Sequence, residues 1–457
     1  MRLRFGTAFF AIFFIIFGCQ KSEQFHAEFS ENTVNAHSTV PRFDSINWSK
    51  AYTFQKLKDS ELREKTDYLK HYFQNSWVKN NASGGFLVAV HGQILFEGYN
   101  GFADFEKQIS ITPETPIHLA SISKVLTALA VLKLVESKRI RLDDEVSEYL
   151  MGFPYPEVTI KDLLNHRSGL PNYLHFTDDA NIWDQTKMLG NKDVLDILIH
   201  HKPEPSGLPG KRFSYNNTNY VLLALIVENT TGLTFHDAME YMIFKPLGMN
   251  HTFVFEYEKD SAKVSKSYYN NGRIWDFNFL DKTYGDKNIY STPRDLFKLD
   301  QAMYSEQFLS KSLKEKAWKG YSYEAKGYKN YGLGIRLIEW DSGEKILYHK
   351  GWWHGNYTSY TRDFRDEAVI IALGNKKDRI VYESFDLISL FGNFPNSALP
   401  ETVLASNFSK ENAETSENTS EEELPGGAEK NIRAIVNKNE QPQRQESTFY
   451  RKKRKER

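Results

Sequence analysis

The chain has 457 residues, a formal net charge of −1 and a single cysteine. Its 40% hydrophobic and 14% aromatic content can build one large domain with insertions, or two to three domains. The balanced charge gives no basis for nucleic-acid binding by the whole chain. The lone cysteine excludes an internal disulfide framework and a cysteine-rich metal centre. No solenoid or propeller period is apparent.

At the N-terminus, Arg2 and Arg4 precede an apolar run from Phe9 to Phe17 that is short for a bilayer span and reads as a targeting segment. The run ends Ile16-Phe17-Gly18-Cys19, which resembles a bacterial lipobox. That resemblance implies a lipoprotein signal peptide at 1–18, lipidation of Cys19 and membrane anchoring on the periplasmic or cell-surface side. An ordinary export signal with an incidental cysteine is the alternative. Residues 19–43 are polar and aperiodic, as in a tether. From 44 to 80, Leu62, Tyr68, Leu69, Tyr72, Phe73 and Trp77 recur with helical spacing until Gly84-Gly85. Phe86–Val90 and Ile94–Gly98, separated by His91-Gly92-Gln93, form a hairpin signal.

Next comes His118-Leu119-Ala120-Ser121-Ile122-Ser123-Lys124, opening a helix that is apolar on nearly every side and therefore expected to be buried. Residues i and i+3 share a helix face, so Ser121 Oγ and Lys124 Nζ can meet there. A helix start also presents free N–H groups that can hold an oxyanion. Ser-x-x-Lys occurs twice more, at Ser76–Lys79 and Ser342–Lys345, so only the context singles out Ser121. Serine needs a neighbouring base to act as a nucleophile. Lys124 can be that base to the extent that its amine is neutral, the form that burial and a helix N-terminus favour in general.

Helical patterns dominate to about residue 250, including Tyr220–Glu228 ending near Gly232. Strands are expected again after Tyr331-Gly332-Leu333-Gly334-Ile335, at Lys345–His349, Asn356–Arg362 and Ala368–Leu373. Strands at both ends around a helical middle predict an α/β (α+β) domain. One antiparallel sheet would be built from the two chain ends, flanked by helices, with a mainly helical inserted subdomain. The domain is placed at 44–400. Residues 401–457 are rich in Glu, Ser and Asn and end in a basic run, the composition of a disordered charged tail. His200-His201 lacks metal-ligand spacing, and no Gly-x-Ser-x-Gly elbow is present.

Ser121-Ile122-Ser123-Lys124, Tyr215-Asn216-Asn217 and His349-Lys350-Gly351, in that order, resemble the serine beta-lactamase-related superfamily of class C beta-lactamases, DD-peptidases and related esterases. The likeness covers roughly residues 50 to 395. It extends to Thr159–Pro171, to Gly285–Leu296 with Ser291-Thr292-Pro293-Arg294-Asp295, and to Tyr331–Gly334. The resemblance implies that Ser121 is acylated, that Lys124 is its base and that Tyr215 relays a proton to the leaving group. It further implies that Asn217 orients Lys124 or the substrate amide, and that the backbone N–H groups of Ser121 and Trp352 form the oxyanion hole. Gly351 would let substrate lie close to the strand. His349 takes the position of a lysine in better-known lactamases, and a histidine that is often neutral binds anions less firmly.

Adjacent tryptophans on a strand point to opposite faces, so one of Trp352 and Trp353 is expected to meet substrate. His166 and Ser168 are read as turn residues. The chain is therefore read as a serine hydrolase acting on D-amino-acid peptides or small esters, needing neither metal nor cofactor. Its partners are a small-molecule or peptide substrate and, through Cys19, the membrane. A class C-like beta-lactamase, and a non-catalytic lipoprotein that binds peptidoglycan or a partner, are the alternatives.

Overall fold

A computed structural model describes residues 45–56 and 59–395. The signal segment, Cys19, the tether to residue 43 and the tail from 401 all lie outside the described residues.

Seven strands form one antiparallel sheet: β1 (Gly84–Val90), β2 (Gln93–Asn100), β3 (Lys329–Tyr331), β4 (Arg336–Glu339), β5 (Lys345–Trp353), β6 (Asn356–Asp363) and β7 (Ala368–Gly374), in spatial order β2-β1-β7-β6-β5-β4-β3. The N-terminal hairpin thus joins the C-terminal meander through β1 and β7, from Gly84 opposite Gly374 to Val90 opposite Ala368. The sheet is built from both chain ends, with the long helical region between them. In the first hairpin Val90 faces Gln93, so the turn is His91-Gly92, both at positive φ (49° and 72°), as a two-residue turn between twisted strands requires.

Side-chain alternation divides the core in two. Leu87, Ala89, Val369, Ile371 and Leu373 point to one face, where α2 (Ser123–Glu136) and α3 (Thr218–Thr231) pack. Phe86, Val88, Val90, Ile370 and Ala372 point to the other, against α1 (Asp59–Tyr72) and the short helices between Ile380 and Leu390. The central strands are buried on both faces, which explains their continuous apolar runs. Every residue of α2 from Ser123 to Leu134 is buried, as the all-round apolar pattern predicts. α3 runs further than the expected Tyr220–Glu228 and stops at Gly232, whose φ of 71° ends it in the left-handed region.

The hairpin of β3 and β4, around Gly332–Ile335, was not among the expected strands. Both strands are short and lie at the sheet edge, and they carry Lys329, Arg336 and Glu339, which hide the alternation. A second, small sheet was also missed: Ile117–His118, Phe253–Val254 and Ile289–Ser291. Two-residue strands have no readable period. This small sheet sets the position of Ser121. From it the chain enters α4 (Pro293–Tyr304), whose Thr292 accepts from Asp295 N (3.2 Å) and whose Pro293 occupies the first turn.

Candidate active site

Strand Ile117–His118 delivers the chain to a tight turn at Ala120–Ile122, and α2 starts directly after it. Ala120 sits at φ 49°, a conformation that costs a non-glycine residue about 1–3 kcal/mol. Two bonds hold it: Ala120 N donates to His118 Nδ1 (3.0 Å) and Leu119 N to Ile289 O (2.8 Å). This reversal places half-buried Ser121 at the head of α2. Lys124, 0% exposed, donates to Ser121 Oγ (3.3 Å) and to Asp286 O (2.7 Å). Among the described residues no carboxylate forms an ion pair with Lys124. The structure thus brings together the serine and lysine of only one of the three Ser-x-x-Lys matches. Lys79 is exposed, Ser342 turns to Glu344, and Lys345 bonds Trp318 O and pairs with Glu339.

Tyr215 lies beside this pair, half-buried, with Lys124 Nζ 5.1 Å from its ring centroid. The guanidinium of Arg336, on β4, is 5.0 Å from the same centroid. The Arg336 side chain makes no hydrogen bond or ion pair among the described residues. The sequence carried no signal for it, because a lone arginine on a short strand looks like a solvated one. The other Tyr-x-Asn matches are built differently: Tyr269 stacks on Trp275 at 4.0 Å, and Asn330 accepts from Tyr321 and Ser322 backbones.

Asn217 precedes α3 as its cap residue and makes no side-chain cap bond. Its neighbour Asn216 is the structural member: it is buried and binds His166 Nδ1, Leu170 O and Thr218 N. His166, at φ 58°, packs 4.3 Å from the Tyr215 ring, and Ser168 donates to Asn219 Oδ1 (2.7 Å). The Thr159–Pro171 phrase therefore builds the wall behind Tyr215.

His349 is 0% exposed, with both nitrogens engaged. Nδ1–H donates to Lys350 O (3.0 Å) and Tyr331 OH donates to Nε2 (3.3 Å), an assignment that follows from the partners. Burial, and then the charges of Arg336 and Lys124, hold this imidazole well below its usual range, so it is neutral. It points to the same face of β5 as Leu347, the face on which α2 packs, with its ring 6.3 Å from that of Tyr215. Two residues on, a Cβ at Gly351 would lie 2.6 Å from Leu119 O and 2.9 Å from Ser121 N. Only glycine lets β5 approach the Ser121 backbone this closely. Trp352 is half-buried, and its Nε1 is buried without a partner. Trp353 turns away, donating from Nε1 to Asp281 Oδ1 (2.6 Å).

The sequence phrase Gly285–Leu296 had no assigned role, yet four of its first five residues are bonded to the segment from His118 to Thr127. Thr127 Oγ1 donates to Gly285 O (2.8 Å), Lys124 to Asp286 O, and Ile289 N to Ser123 Oγ (3.1 Å). His118 Nε2–H donates to Asn288 Oδ1 (2.7 Å).

A buried lysine against a serine at a helix head, on an antiparallel sheet closed by both chain ends, defines a serine hydrolase of the penicillin-recognising type. The Beta-lactamase family profile matches residues 69–388, and the chain belongs to that family. A penicillin-binding protein of Bacillus subtilis is 32% identical over 338 residues, covering 70% of this chain and 74% of that one. A teichoic acid D-alanine hydrolase of Staphylococcus aureus is 29% identical over 256 residues, 54% of this chain and 61% of that protein's length. The crystal structure of a penicillin-binding protein from Bacillus halodurans superposes with a TM-score of 0.61 at 25% identity, covering 70% of this chain and 98% of that one.

The buried histidines give the site a pH signature. Burial is the largest cause holding His118 down at about 4, and it also holds His166 and His349 well below 6.5. Each is neutral when folded but takes up a proton near pH 6.5 when unfolded. The unfolded state then binds more protons, and stability falls as pH falls. In urea denaturation, the unfolding free energy of wild type relative to His349→Gln should be constant above about pH 7. Below pH 6.5 it should decline by about 1.4 kcal/mol per pH unit. A flat difference down to pH 5 contradicts a neutral, buried His349.

Proposed function

We propose that this protein hydrolyses D-amino-acid esters and amides through an acyl-enzyme on Ser121. The observation that carries the reading is the 3.3 Å contact between Ser121 Oγ and a buried Lys124 whose other acceptor is a main-chain oxygen. A lysine with no carboxylate partner is suited to taking a proton from the serine. Ser121 Oγ attacks the carbonyl carbon as its proton passes to Lys124. The tetrahedral oxyanion is held by the backbone N–H groups of Ser121 and Trp352, donors typically worth about 10²–10³ in rate each. Tyr215 passes the proton to the leaving alcohol or amine, and Asn217 orients Lys124 or the substrate. Water then cleaves the ester by the reverse path.

The D-amino-acid assignment is supported by the name of the staphylococcal relative. Arg336 adds a preference. A half-buried guanidinium without an internal partner, stacked on Tyr215, is placed to bind a substrate carboxylate, a task that the neutral, buried His349 does not perform. A beta-lactam is then a minor substrate.

The same reading covers the rest of the chain. Residues 44–400 are the catalytic domain, the segment ending at Cys19 exports and anchors it, and 401–457 is a dispensable tail.

Purified protein should be labelled by a fluorophosphonate and should hydrolyse a D-alanyl p-nitrophenyl ester. Ser121→Ala should abolish both, and Lys124→Ala should slow both by about 10²–10⁴; labelling that survives in Ser121→Ala places the nucleophile elsewhere. Arg336→Gln should raise KM for a D-alanyl-D-alanine peptide by roughly 10–100-fold and leave the uncharged ester unaffected. Equal losses on both substrates would remove the carboxylate role. For anchoring, Cys19→Ala should move the protein from the membrane to the soluble fraction, and unchanged retention would rule out lipidation there.

A further inference from the structure

We propose that Asp286 and Lys287 form a buried dyad that positions Lys124 and balances its charge, which makes Lys287 a positioning residue for the acylation step. The proposal rests on the reading of Lys124 as the base of Ser121.

Asp286 supplies the main-chain oxygen on which Lys124 rests, 2.7 Å away. Its side chain is fastened separately. Tyr173 OH donates to Asp286 Oδ2 (2.9 Å), and Lys287 Nζ lies 3.5 Å from the same oxygen. Lys287 Nζ donates to Tyr173 OH (2.6 Å) and to Thr283 Oγ1, and it stands over the Trp353 ring at 4.5 Å. Lys287 is 3% exposed and Asp286 1%.

The flanking carbonyl of Gly285 and amide of Ile289 are bonded to Thr127 and Ser123 of α2. The acceptor of Lys124 is therefore held by its own side chain, by the preceding Gly285 and, three residues on, by Ile289. A buried ion pair of this kind is not needed for stability, since apolar residues of similar volume serve as well or better. Here it lies one residue from a buried, carboxylate-free lysine. Burial, opposed by Asp286 and Asp281 and reinforced by Lys124, lowers the proton affinity of Lys287, so the two lysines sense each other.

The charged and titratable groups around the pair are few. Lys124 is faced by Asp286 and Lys287 from this segment, by Tyr215 and Tyr220 from the approach to α3 and its first turn, by His166 and His349, and by Arg336 from β4. Lys287 is faced by Asp286, Asp281, Tyr173, His118 and Lys124. Within this set, Asp286 and Lys287 offer charges of opposite sign to one base. Removing either should move the pH dependence of acylation, and in opposite directions.

The test is the pH profile of kcat/KM for a D-alanyl p-nitrophenyl ester, with fluorophosphonate labelling of Ser121 measured in parallel. Lys287→Met should move the acid limb to higher pH by about one unit, because a repelling cation has gone; Asp286→Asn should move it to lower pH by a similar amount. Lys287→Arg, which keeps the charge, should stay near wild type. All three should be labelled at the alkaline plateau. If Lys287→Met does not fold, the near-isosteric Asp286→Asn decides the sign alone. Limbs that stay put, or that move in the same direction, overturn the dyad while labelled wild type keeps Ser121 as nucleophile. Failure of wild type itself to be labelled overturns the parent reading instead.

Discussion

Lys124 reaches two oxygens, Ser121 Oγ and the main-chain carbonyl of Asp286, and buries its amine between them without a carboxylate. An amine in that setting needs a fixed acceptor, because an unpaired buried polar group is costly. Much of the surrounding architecture meets that need. The small sheet of Ile117–His118 with Ile289–Ser291 runs the Gly285–Ile289 segment alongside the head of α2. Successive bonds from Thr127, Lys124 and Ser123 then lock the two together. The strained turn at Ala120 is maintained by the same arrangement, through His118 and Leu119.

The main sheet imposes a complementary constraint from the other side. β5 lies against the Ser121 turn because Gly351 has no side chain, and Thr358 Oγ1 on β6 donates to Leu119 O (2.8 Å). Beyond this approach the site is lined by aromatic rings and neutral imidazoles. His166 and His349 are kept neutral mainly by burial, with the positive charges of Lys124 and Arg336 acting in the same direction. The Lys124 amine and the Arg336 guanidinium both lie against Tyr215, 5.1 and 5.0 Å from its ring centroid, and the neutral imidazoles have a packing role.

The candidate site residues were readable where they sit in a distinctive local pattern. Ser121 and Lys124 stand at the mouth of an all-apolar helix, Tyr215 and Asn217 precede another, and His349–Gly351 lie in a strand with clear alternation. Arg336 and the Asp286–Lys287 pair were not readable. An arginine on a short strand looks like a solvated charge, and an acidic residue beside a basic one looks like a surface turn. Their significance comes from burial and from what lies across the site, neither of which leaves a periodic trace. The two-residue strands of the small sheet were invisible for a related reason: a period needs several repeats to be seen.

By itself, the sequence determined the class of the protein. Long apolar segments with helical or alternating spacing specify buried helices and strands through local geometry, and the order of three motifs marks the hydrolase family. Tertiary structure decided which of three Ser-x-x-Lys pairs comes together, that His349 is buried beside Tyr215 and Tyr331 and neutral, and that the Arg336 guanidinium lies over the Tyr215 ring. Those outcomes depend on contacts between residues far apart in the chain, such as Lys124 with Asp286 and Gly351 with Ser121. Burial and proximity set charge and reactivity there, and both are properties of the folded chain.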